Sequence, residues 1–209
     1  MKKIILIELC FLFLATTFQS DRMIGWVQQT IPRQDLPVVD LQFLDSLTGF
    51  MISSRRTPDS SFVFKTTDGG NNWTTTQFDS LYLTCLNFPE PNIGYCGGGQ
   101  ITNGTVKKTT NMGQSWFTVS LVSSFIYLVD IDFVNKDTGW VCSSNIFDGG
   151  LWRTTNGGIS WQTQLNNNYA ISKIFFINST TGWCFERSNN YLYQGRSWGF
   201  KHFKKRNFC

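Results

Sequence analysis

The chain has 209 residues, of which 41% are apolar, 16% aromatic and only 15% charged. That much apolar and aromatic surface excludes intrinsic disorder, and a wealth of Gly, Thr, Ser, Asn, Phe and Trp in place of Ala, Glu and Lys excludes a coiled coil. The net charge of +4 is a tail effect, because five of the 18 basic residues (Arg196, Lys201, Lys204, Lys205, Arg206) fall in the last fourteen positions, and a near-neutral body carries no nucleic-acid footprint.

Met1-Lys2-Lys3 opens the chain with positive charge. Ile4 to Leu14 is apolar apart from Glu8, and Ala15 to Ser20 turn small and polar. This layout predicts a signal peptide over 1–20, with cleavage after Thr17 or Ser20 and export to the periplasm or the exterior. The run is too short for a stable membrane span, which needs ~20 apolar residues. Cys10 would leave with the signal. Of the five remaining cysteines none forms a CxxC pair, so no metal site is expected. Cys96, Cys142 and Cys184 each follow a Gly-aromatic step, which predicts small buried side chains on one strand of a repeat.

From residue 38 onward the sequence repeats. Leu41-Gln42-Phe43, Leu86-Asn87-Phe88, Ile131-Asp132-Phe133 and Phe175-Phe176-Ile177 each lead to a Gly-aromatic pair at Gly49, Gly94, Gly139 and Gly182. The Phe residues 43, 88, 133 and 176 step by 45, 45 and 43, and each precedes its Gly by six. Leu-x-Phe alternation puts the apolar side chains on one strand face. A tight turn with Gly at positive φ is expected next, then a returning strand. Glycines 97–99 read as a flexible turn, since they lack the strand–helix setting of a phosphate loop.

A second element follows in each unit: Thr66-Thr67-Asp68-Gly69-Gly70-Asn71-Asn72-Trp73, Thr109-Thr110-Asn111-Met112-Gly113-Gln114-Ser115-Trp116 and Thr154-Thr155-Asn156-Gly157-Gly158-Ile159-Ser160-Trp161. The fourth copy keeps only Gly195-Arg196-Ser197-Trp198. Asp68, Asn111 and Asn156 are expected to fold onto backbone N–H groups two residues ahead, with Gly70, Gly113 and Gly158 permitting the reversal. Four strands per ~45 residues is the unit of a β-propeller blade. The expected architecture is all-β: four four-stranded blades in an incomplete ring, with repeats near 38–76, 82–119, 126–164 and 170–199. Residues 26–37 read as a leading outer strand and linker, and 200–209 as a basic tail. The tail is either a true C-terminal arm or the mark of a truncated or shifted frame, and the break inside a motif favours the second.

The second element resembles the Asp-box, or BNR repeat, with Thr66, Asp68, Gly70 and Trp73 matching fully. Thr109, Asn111, Gly113, Trp116 and Thr154, Asn156, Gly158, Trp161 match with Asn for Asp. Combined with Phe-x5-Gly-aromatic, residues 26–198 are similar to the photosystem II stability/assembly factor propeller family. The resemblance implies a non-catalytic, exported scaffold whose partner is a protein, with no cofactor. A sialidase-like glycan-binding or glycoside-hydrolase propeller is the alternative. It would need an arginine cluster, a Tyr–Glu pair and an Asp acid, and no catalytic residue transfers to this chain. Arg55 and Arg56 are adjacent and so diverge along a strand, and Arg153 occupies the slot of Lys65 and Lys108. The insertion 55–61 is the candidate binding loop, at Arg55 and Arg56. Lone His202 supports neither a metal site nor a triad. Two further readings stay open: self-association through open blade faces, and a fragment without independent function.

Overall fold

In a computed structural model the described residues are 28–57, 59–100, 103–122, 128–144, 149–165, 170–186, 191–196 and 199–203. They form four antiparallel sheets of four strands each, consecutive in sequence and consecutive in space. The first holds β1 (Val38–Phe43), β2 (Gly49–Arg56), β3 (Asp59–Thr66) and β4 (Thr74–Asp79). The second holds β5 (Tyr82–Glu90), β6 (Ile93–Gln100), β7 (Asn103–Thr109) and β8 (Phe117–Val122). The third holds β9 (Leu128–Phe133), β10 (Gly139–Ser143), β11 (Gly150–Thr154) and β12 (Gln162–Leu165), and the fourth β13 (Ile171–Asn178), β14 (Thr181–Glu186), β15 (Tyr191–Arg196) and β16 (Gly199–Phe203). β5 touches both β1 and β9, and β9 touches β13, so the first strand of every sheet lies innermost. These are propeller blades, in an arc of four rather than a closed ring.

The Phe–Gly interval is explained by cross-strand packing, not by turn conformation. Phe43 faces Gly49, Phe133 faces Gly139 and Phe176 faces Gly182 across the first hairpin. A Cβ placed on Gly49, Gly94, Gly139 or Gly182 would lie under 3.0 Å from the Phe ring of its own blade. The glycine is required because the ring lies flat on it. The expected positive φ is therefore absent there; it falls instead on Gly69, Gly70, Met112, Gly113, Gly157 and Gly158 in the second element. The turn itself is made by a side chain. Asp45 Oδ1 accepts the Leu47 and Thr48 amides at 2.7 and 2.6 Å, and Asn135 Oδ1 accepts those of Asp137 and Thr138 at 2.9 and 2.8 Å.

The ring freed of its own blade's Cβ stacks on the next aromatic residue of the preceding blade. Phe50 stacks on Phe88 at 3.8 Å between centroids, Tyr95 on Phe133 at 3.6 Å and Trp140 on Phe176 at 3.6 Å. Each stack contributes about 0.5–1.5 kcal/mol beyond its buried area. Trp116 and Trp161 close two of these pairs edge-on, against Phe88 and Phe133. The core is thus a chain of inter-blade clusters, as expected where each repeat buries its face on its neighbour.

Four expectations need correction. Residues 28–37 contain no strand, so the leading strand is not found among the described residues. Residues 97–99 lie inside β6, not in a turn. Gly97 sits where a Cβ would meet Cys85 Sγ, and Gly98 lies against the Tyr82 backbone at a register shift between Leu83 and Cys85. Segment 55–61 is no loop insertion: Arg55 pairs with Ser60 and Arg56 with Asp59, so it is the end of a long hairpin. The tail boundary at 200 falls within β16, which pairs along β15 from Arg196–Gly199 to Leu192–Phe203. A strand can join a blade by backbone pairing alone, without the box sequence. The expected signal at 1–20 and the damaged Ser197-Trp198 lie outside the described residues.

Candidate functional site

Among the described residues, three groups of polar side chains bear on function. The first runs along the inner strands. Gln42 clasps Phe88 with both ends of its amide, accepting its N–H at 2.8 Å and donating to its carbonyl at 3.2 Å. Asn87 Oδ1 accepts Phe133 N–H at 3.0 Å, and Asp132 Oδ2 accepts Phe176 N–H at 2.6 Å. These three residues are the middle position of the Leu-x-Phe motif, and each latches its blade to the next. Two residues earlier, Asp40 accepts the Leu86 amide and Asp130 the Ile174 amide, both at 2.8 Å. In the fourth blade the same two positions hold Lys173 and Phe175. Lys173 reaches back to Asp130 at 2.9 Å.

Burial raises the pKa of Asp40, Asp130 and Asp132, only partly offset by the amides they accept. Asp132 is pushed up to about 6. Burial works against the Lys173 ammonium, but the charge and hydrogen bond of Asp130 outweigh it and raise its pKa. These carboxylates are inter-blade acceptors held in a costly environment. The spacing that would have revealed them was in the sequence: position −1 from the repeated Phe is Gln, Asn, Asp and then Phe.

The second group is the repeated turn. Thr66 Oγ1 donates to Asp68 Oδ1 at 2.8 Å and accepts the Gly70 amide at 2.9 Å. Asp68 Oδ1 also accepts the Asn72 amide at 2.8 Å, and Asn72 Nδ2 donates to Asp68 Oδ2 at 2.7 Å. Thr109 and Thr154 repeat the first pair of bonds, onto Asn111 and Gly113 and onto Asn156 and Gly158. Asn111 and Asn156 accept the amides of Ser115 and Ser160. The acceptor therefore reaches four residues ahead rather than two. Trp73 Nε1 donates to the Gly70 carbonyl at 3.0 Å, and Trp73, Trp116 and Trp161 each pack edge-on against the Phe of their own blade, Phe43, Phe88 and Phe133. Both carboxylate oxygens of Asp68 are thus engaged in holding the turn.

The third group is arginine. Arg55 pairs with Asp35 at 3.3 Å, Asp35 also takes Arg33 at 2.8 Å, and Arg56 lies over the Tyr82 ring. The expected divergence of Arg55 and Arg56 is what the strand produces. Arg153 is at the other end of its blade, opposite Trp140 in the register and over its ring, as Lys108 is over Tyr95. Arg55 and Arg56 end β2 at the far side from the Gly-aromatic turn, so the three arginines are not brought into one cluster. Nearby, Ser61 Oγ bonds the Leu81 carbonyl at 2.7 Å and the Leu83 amide at 2.8 Å, pinning the crossing into blade 2.

Cys85, Cys96, Cys142 and Cys184 are buried free thiols. Burial raises all four pKa values, that of Cys184 to about 12, so none is a ready nucleophile. Their expected common place is partly corrected. Cys96 and Cys184 sit two residues after their Gly and Cys142 three, so Cys142 points from the opposite face of its strand. Among the described residues no group of His, Cys, Asp and Glu could hold a metal ion, and no helix is long and apolar enough to cross a membrane.

No protein-family model matches the sequence, and no curated protein matches it either. Solved structures do match. A structure of YCF48 bound to a D1 peptide superposes with a TM-score of 0.63 at 17% identity, covering 82% of this chain and 54% of that one. YCF48 from Cyanidioschyzon merolae superposes with a TM-score of 0.66 at 15% identity, covering 87% of this chain and 60% of that one. The fold is similar to that of YCF48. The chain spans little more than half the length of these propellers, and at such identity the likeness is one of fold.

Proposed function

We propose that the chain is an exported, non-catalytic scaffold that binds a segment of a partner protein. The observation that carries this reading is the employment of its polar groups. Among the described residues the box side chains hold turns, Asp40, Asp130 and Asp132 latch blades, and the four thiols are sealed in the core. The likeness to YCF48, one structure of which holds a D1 peptide, supports a propeller that takes a peptide. Arg55 and Arg56 are the exposed cations at the end of the β2–β3 hairpin and are the proposed contact.

Fluorescence anisotropy with labelled D1 peptide and a scrambled control tests the reading. Saturable binding of the peptide alone is expected, weakened by about tenfold in the Arg55→Ala/Arg56→Ala double variant. Equal binding of both peptides, or none, would reject it. Export is tested separately by N-terminal sequencing of the secreted protein, which is expected to begin after Thr17 or Ser20.

A further inference from the structure

The three internal interfaces define one rule. The aromatic residue after the Gly of one blade lies flat on the Phe of the next. Among the described residues, two aromatic positions of the repeat, Phe43 and Trp183, lack that inter-blade partner. On blade 1, Phe43 is 44% exposed and Leu41 58%. On blade 4, Trp183 stands where Phe50, Tyr95 and Trp140 stand, flanked by Phe175 at 60% and Ile177 at 56% exposure. One flank offers the Phe half of the stack and the other the second half.

The inner strands of both flanks are open. The outer part of blade 1's flank, at Met51 and Phe64, is covered by Ile31 and Leu36 of the leading segment. What stays open is the inner strand. On blade 4 the exposed apolar side chains among those described, Phe175, Ile177 and Phe185, lie on the inner two strands. Inner strand against inner strand is how every internal pair of blades is joined.

We propose that blade 4 of one copy docks on blade 1 of a second copy, Trp183 stacking on Phe43, and that two copies close an eight-bladed ring. Eight is within the range of propellers. The contact joins two different surfaces, so the ring closes only if each copy uses both.

The test is sedimentation equilibrium of the full chain over a wide concentration range. A dimer is expected. Leu41→Glu and Trp183→Glu, both on the open flanks, should each weaken it by about a hundredfold. Mixing the two variants should restore association, because a mixed pair keeps one intact contact. Phe175→Gln should leave the dissociation constant within about threefold or tighten it. That residue recreates the Gln42 latch and offers an acceptor to the Phe43 amide of the second copy. A monomer at every concentration, an assembly larger than two, or no recovery on mixing would overturn the proposal. So would a loss in Phe175→Gln as large as in Trp183→Glu, which would mark the flank as a sticky patch. Far-ultraviolet circular dichroism on each variant confirms that the blades remain folded.

Discussion

Phe43 and Phe133 occupy the same place in the repeat, each flat on its own Gly and each met edge-on by a Trp of its own blade. Phe133 is buried under Tyr95 and Phe43 is 44% exposed. Motif and hairpin are the same, and the neighbouring blade is the difference. In a repeat fold, then, burial belongs to the interface between units and not to the unit. The same holds for the latches. Asp132 has an amide to accept because blade 4 follows it, whereas its counterpart Phe175 faces outward.

This comparison predicts the largest effect at the stacks. Phe133→Ala should destabilise by about 3–5 kcal/mol, since it empties a fully packed site. Phe43→Ala should cost roughly 1 kcal/mol in the monomer, where half of the ring is already wet. Urea unfolding of both variants checks the ratio, and equal losses would contradict an interface-borne core. Gly139→Ala comes next. A methyl group there meets the Phe133 ring at less than 3.0 Å, so the ring must leave its stack with Tyr95, at about 1–3 kcal/mol.

The latches give an effect of smaller size with a pH signature. Asp132 has its pKa raised to about 6, first by burial. The folded state therefore holds a proton in a window, between about pH 4 and 6, where the unfolded state has lost it. The contribution is fully present below the unfolded value and is lost as pH rises through 6. Asp132→Asn keeps the acceptor, as Asn87 shows at the same position, and sheds the buried charge. It should raise stability at pH 7 by about 1–2 kcal/mol and flatten the pH dependence between 4 and 6. Urea midpoints for both proteins at pH 4.5 and 7 measure this. An Asn variant less stable at pH 7 would mean that the carboxylate bond outweighs its desolvation.

How much of this was legible before folding depends on the length scale of the cause. The Phe and Gly series, the box and the four-strand unit are local or strictly periodic, and alternation exposes them. The reason for the Gly at 49, 94, 139 and 182 was misread, because a tight turn and a flat ring six residues away leave the same letter. The latch series was written at the residue before each Phe, but its hydrogen bonds reach 44 to 46 residues along the chain. Nothing local marks Gln42 as anything but a polar strand residue. β16 was missed since it joins β15 by backbone pairing, and the sequence Gly199-Phe200-Lys201-His202-Phe203 carries no repeat signature. Arg55 and Arg56 looked like an inserted loop because Thr57-Pro58 interrupts the strand pattern, while the register continues on both sides.

The smallest predicted effect sharpens the comparison within the boxes. In the first, Asp68 is acceptor only, and its partner four residues on is Asn72, whose Nδ2 donates to it. In the other two, Asn111 and Asn156 use Nδ2 to donate to Ser115 and Ser160 Oγ, at 2.9 and 2.8 Å. Asp goes with Asn, and Asn goes with Ser, so the two positions are matched as donor and acceptor. Asp68→Asn alone would set two amide donors against each other unless Asn72 turns its amide. It should lower Tm by about 2 °C at pH 7. Adding Asn72→Ser rebuilds the pairing of the other boxes and should restore most of that loss. The pKa of Asp68 is lowered chiefly by the Asn72 amide. Its bonds thus stabilise above the ordinary carboxylate pKa and fade as pH falls through the lowered value. The gap between wild type and Asp68→Asn should accordingly narrow at pH 3. If the double variant melts no higher than the single one at pH 7, the matched pairs are incidental, and the Thr66 and backbone bonds alone hold the turn.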